Sequence, residues 1–91
     1  MSWGGYGVIQ PGDILVLKDN NDDTELTRNI VLSSHRMGHI SGQGSEIVHT
    51  LYTIYNSDAA RGLSFYNVGR IFTLTRKQMI NDYTAVWSKL C

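Results

Sequence analysis

The sequence predicts an α+β fold: a small antiparallel sheet with a C-terminal helix. Three stretches predict it. Asp13 to Leu17 is a short apolar run directly after the turn signal Pro11-Gly12. Ser34 to Tyr55 holds two alternating arms about the turn signal Gly42-Gln43-Gly44. Met79, Ile80, Tyr83, Val86, Trp87 and Leu90 recur at three- and four-residue spacing, the pattern of an amphipathic helix.

The elements follow in order. Met1 to Gln10 is rich in glycine and aromatic residues, and Gly4, Gly5 and Gly7 argue against a helix there. Residues 13–18 are expected as the first strand, apolar on both parities and so covered on both sides. Asp19 to Glu25 is an acidic loop. Asp19, Asn21 and Asp23 take the first ligand positions of a calcium loop, but Thr24 stands where the loop needs glycine and Ile30 where it needs glutamate. A solvated loop is therefore expected. Thr24 to Leu32 is expected as a short helix capped by Asp22 or Thr24, with a strand at Ile30 to Leu32 as the alternative. Arg36 to Ser41 and Ile47 to Tyr55 are the hairpin arms. Asp58 to Gly69 is connecting chain, and Arg70 to Leu74 is a further short strand. Thr75-Arg-Lys-Gln78 is a capping box, which starts the helix expected over 76–89.

Size and composition exclude several classes. A chain of 91 residues is one domain at most, and one this short buries roughly 60–65 % of its unfolded surface. One domain over 1–91 is expected, either whole or continued in a longer parent beyond Cys91. Formal net charge is zero, so electrostatics offers no case for a nucleic-acid partner or a charged membrane surface. No apolar run approaches the ~20 residues that span a bilayer. The N-terminus has no basic residues before an apolar stretch, so it does not read as a signal peptide. The single cysteine cannot form an internal disulfide. The expected compartment is the cytoplasm. No cofactor or metal is expected, because no carboxylate or thiol stands at a zinc-ligand spacing from the histidines.

All three histidines, His35, His39 and His49, belong to the hairpin stretch. Histidine is the side chain that exchanges a proton near neutral pH without a shifted pKa. A hairpin centred on Gly42 places His35 directly opposite His49, with Cβ atoms about 5 Å apart. One ring would then act as general base while the other orients it. A hairpin centred on Gly44 places His39 opposite His49 instead, with His35 about 13 Å along the strand. Both glycines tolerate positive φ, so both registers stay open. Cys91 is a candidate nucleophile, but it follows a helix C-terminus, where the dipole disfavours a thiolate.

The order of Gln10-Pro-Gly-Asp-Ile-Leu-Val16, Ser34-His35, Met37-Gly-His-Ile-Ser-Gly-Gln-Gly44 and Glu46-Ile-Val-His49 resembles the circularly permuted papain-like superfamily. That group includes NlpC-related, YiiX-type and lecithin:retinol acyltransferase-like proteins. Val68 to Leu74 and Thr75 to Leu90 look like its next strand and the helix before the nucleophile. The likeness covers about residues 9–91. Each hairpin arm is one residue longer than the family pattern, and the two offsets cancel, so His35 stays opposite His49. The resemblance implies a cysteine-dependent amide or peptide hydrolase, or an acyltransferase. Cys91 would attack the carbonyl, His35 would shuttle the proton (His39 is the alternative base), and His49 would hold the imidazole. The implied substrate is a peptide, an amide or a lipid acyl group. The alternative is an inactive binding or structural module, or a fragment that a partner chain or a second copy completes.

Overall fold

The computed structural model describes residues 9–38, 45–58, 67–81 and 84–90. The strands are β1 (Ile14–Asp19), β2 (Glu25–Gly38), β3 (Ser45–Asn56), β4 (Ile71–Thr75) and β5 (Ala85–Lys89), and one short helix, α1 (Arg76–Ile80), precedes β5. They form one antiparallel five-stranded sheet in the order β4-β3-β2-β1-β5. The architecture is α+β, as the sequence predicts.

Local chemistry explains the first turn. Asp13 N–H donates to the Gln10 carbonyl at 3.0 Å, and Gly12 has φ +95°. That is a type II turn, with Pro11 supplying its fixed φ and Gly12 the positive one. The Asp13 carboxylate accepts from Gln10 N–H at 2.8 Å and faces Lys89 Nζ at 3.2 Å. The Gln10 N–H first, and Lys89 after it, hold that carboxyl below its usual range. The acidic loop is held by its own side chains. Asp19 Oδ1 accepts from Asn21 N–H at 2.8 Å, and Asp22 Oδ1 from Thr24 N–H at 3.0 Å.

Two expected helices are corrected. Residues 25–32 belong to β2 and not to a short helix, and Thr24 precedes the strand. Thr27, Ile30 and Val31 are β-branched and suit a pleated surface; Thr27 and Ile30 pair with β1 and β3, and Val31 with β3. The helix expected over 76–89 ends at Ile80. Thr75 caps it as read: its hydroxyl accepts from Gln78 N–H at 3.1 Å, and its own N–H donates to Gln78 Oε1 at 2.9 Å. Residues 85–89 are then strand. Ala85 and Trp87 alternate inward with Val86 and Ser88 between them, so a period of two competes with a period near 3.6 over so short a run. The open edge of β1 decides between them, because β5 pairs along it from Leu15↔Lys89 to Asp19↔Ala85.

The sheet curls. In a flat sheet the end strands β4 and β5 would stand four spacings, roughly 19 Å, apart. Phe72 of β4 and Trp87 of β5 nevertheless have ring centroids 6.4 Å apart. Bulges bend the long strands: Leu26, Leu32 and Ile54 are each passed over by the pairing of their neighbours. The result is a half-open barrel with a seam between β4 and β5. Rows of paired residues line its inside: Trp87–Leu17–Thr27, Leu15–Asn29–Thr53, Val31–Leu51–Phe72 and Ser34–His49–Leu74. Leu15, Leu17, Val31, Leu51, Ala85 and Trp87 form the buried core together with Ile9 and with Met79 of α1. α1 packs on β3, β4 and β5 and so closes part of the seam.

Candidate functional site

The hairpin register puts Ser34 opposite His49 and His35 opposite Val48. This differs by one residue from the Gly42-centred register and by more from the Gly44-centred one. The pairing that continues to Gly38↔Ser45 fixes this register, and the bulge at Leu32 decides which side chains face inward. Before it, odd-numbered residues of β2 face inward (Thr27, Asn29, Val31); after it, Ser34 faces inward and His35 does not. A one-residue slip moves a strand's side chains to the other face. His35 and His49 therefore lie on opposite faces, and His35 is exposed. The expected His35–His49 contact is not formed. His39 and Cys91 lie outside the described residues.

His49 is 0 % exposed. Its Nδ1 is 2.7 Å from Ser34 Oγ, and its buried Nε2 has no hydrogen-bond partner. Burial first, and the positive charge of Arg76 second, push its pKa below the ordinary histidine value. Ser34 is the residue that sequence reasoning passed over. The available signal was its place next to His35, one step from the register that the bulge selects. Ser34 lines a cavity of about 220 Å³ with Ile9, His35, Arg36, Ile47 and Arg76.

A pH dependence follows from the buried ring. The unfolded chain takes up a proton at the His49 side chain below about the ordinary value of 6.5, while the folded chain resists it to lower pH. The His49 contribution is thus complete above that value. It declines as pH falls from there towards the lowered native pKa, and is level below it. Urea midpoints measured from neutral to acid pH are expected to fall through this window. His49→Gln is expected to flatten that part of the curve. An unchanged slope in the variant would mean that other groups produce it.

A second feature lies deeper in the barrel. Asn29, 1 % exposed, joins Thr27 and Thr53, both at or below 2 %. Asn29 Nδ2 donates to Thr27 Oγ1 at 2.9 Å and to the Leu15 carbonyl at 3.3 Å. Thr53 Oγ1 donates to Asn29 Oδ1 at 2.8 Å. This network floors a cavity of about 200 Å³ under the seam, walled by Leu17, Phe72, Leu74 and Trp87. Arg70, Thr73 and Gln78 also line it, and the Arg70 guanidinium sits 4.4 Å from the Phe72 ring centroid. Among the described residues no group of three or more His, Cys, Asp or Glu side chains is placed to hold a metal ion. No helix among them is long and apolar enough to cross a membrane.

Comparisons with protein-family models, with curated proteins and with solved structures found no match for this chain.

Proposed function

We propose that this chain is a binding module, and that the seam between β4 and β5 takes a ring-sized ligand group. The carrying observation is the cavity of about 200 Å³ with aromatic walls and a polar floor at the one seam of the curled sheet among the described residues. An apolar cavity of about 150 Å³ holds a benzene molecule, so the volume suits one planar ring with a polar substituent. Phe72 and Trp87 offer ring faces and edges for stacking. The Thr27–Asn29–Thr53 floor is rigid, because its members hold one another. The pocket combines apolar walls from Leu17, Phe72, Leu74 and Trp87 with polar groups that can fix a ligand's orientation. The amide or acyl chemistry implied by the papain-like resemblance rests on Cys91 and is separate from this reading.

The test is a titration of the uniformly ¹⁵N-labelled chain with phenol, indole, benzoate and nicotinamide. Saturable shifts at Leu17, Asn29, Thr53, Phe72 and the Trp87 indole N–H are expected for at least one of them. Affinity on the order of 1 mM corresponds to about −4 kcal/mol, a reasonable value for so few atoms. A tyrosine- or tryptophan-containing peptide in a parallel titration separates a partner's side chain from a free small molecule. Shifts confined to the outer face of the sheet, or none at millimolar ligand, would sink the proposal.

A further inference from the structure

We propose that Ser34 is a nucleophile towards small carboxylic esters, with His49 as its general base, at a site separate from the seam cavity. Three observations on the inner face of the hairpin meet there. Ser34 Oγ and His49 Nδ1 are 2.7 Å apart, within the reach a base needs to take a hydroxyl proton. Ser34 is half-buried and lines a cavity of about 220 Å³, while His49 is wholly buried behind it. The serine therefore has an open side for substrate and a closed side for its base. Arg36 and Arg76 line the same cavity, and their positive field favours an oxyanion that develops there.

The pairing also sets the ring's protonation. A neutral imidazole is the form that accepts a proton, and burial together with Arg76 keeps His49 neutral at neutral pH. With Nδ1 as acceptor the ring carries its hydrogen on Nε2, the atom left without a partner. The pairing across β2 and β3 holds both side chains on one face in one register, which lowers the entropy lost on reaching the reactive geometry.

The step balances as follows. Ser34 Oγ bonds to the ester carbonyl carbon, and its hydrogen passes to His49 Nδ1. The tetrahedral intermediate collapses, the carbon–oxygen bond to the leaving alcohol breaks, and His49 returns the proton to that oxygen. Ser34 is left as an acyl ester. Water then attacks the same carbonyl, its proton passes to the departing Ser34 Oγ, and the carboxylic acid leaves.

A fluorophosphonate probe tests this on the full chain, with intact-mass analysis and peptide mapping. One adduct on Ser34 is expected, and none with Ser34→Ala, a variant that removes only the Oγ atom. His49→Gln is expected to slow labelling about a hundredfold, the usual weight of a positioned base. Should His49→Gln lose its fold by circular dichroism, the wild-type pH profile decides. Labelling should decline as the pH falls below the native pKa of His49. No adduct on the folded protein, an adduct that persists in Ser34→Ala, or a rate indifferent to acid pH within the folded range would each overturn the proposal.

Discussion

Trp87→Ala is expected to remove about 3–5 kcal/mol of folding free energy, the range for truncating a buried tryptophan. A chain of this length has on the order of 5–13 kcal/mol in all, so the variant should lose a large share of its stability. The side chain is 5 % exposed and belongs to the core cluster. It lies beside Leu17 in the pairing of β5 with β1, and it meets Phe72 across the seam. Its loss therefore removes core packing and the contact that draws the two end strands together. Urea unfolding followed by far-ultraviolet circular dichroism measures the effect. Trp87→Phe keeps a ring at the seam and should lose less than half as much. A loss below about 1 kcal/mol for the alanine variant, the size of an ordinary substitution, would mean that the seam is not closed by this residue.

Asn29→Leu is the second large effect, about 3 kcal/mol. The volume is nearly conserved, so cavity formation contributes little. What changes is hydrogen bonding. Thr53 Oγ1 loses its acceptor, and Thr27 Oγ1 and the Leu15 carbonyl lose their donor. Each buried polar group left unpaired costs about 1–3 kcal/mol, and rotation of the threonine hydroxyls recovers part of the sum. Combining Asn29→Leu with Thr53→Val removes both partners of one bond. The pair should then cost less than the sum of the single variants, a non-additivity of about 1 kcal/mol. Strict additivity would show that the network contributes nothing as a unit. The seam cavity has this network as its floor, so Asn29→Leu should also abolish any ring-ligand shifts measured there.

The site was less legible than the fold. His49 is legible as a candidate from its residue type and its place in an alternating arm. Its partner is not, because the bulge at Leu32 shifts the in-and-out alternation by one residue and no local pattern marks it. Leu32 is an ordinary strand residue, yet its position as the unpaired one places Ser34 inward and His35 outward. The Thr27–Asn29–Thr53 network was hidden for a related reason. Its members come from β2 and β3, and Asn29 and Thr53 are 24 residues apart, so only the pairing brings them together.

Short-range chemistry is legible in the residues alone. The Pro11-Gly12 turn, the first strand after it, the existence of a hairpin and the Thr75–Gln78 capping box each depend on residues within a few positions of one another. Their turn and cap chemistry has one good solution. Long-range pairing sets the register of the hairpin, the strand state of 85–89 and the closeness of β4 to β5. A five-residue segment satisfies a helical or an extended period about equally well, and the unpaired edge of β1 makes the extended form the better one. Curling likewise follows from bulges and from burying Phe72 against Trp87, interactions between parts of the chain that no local pattern links.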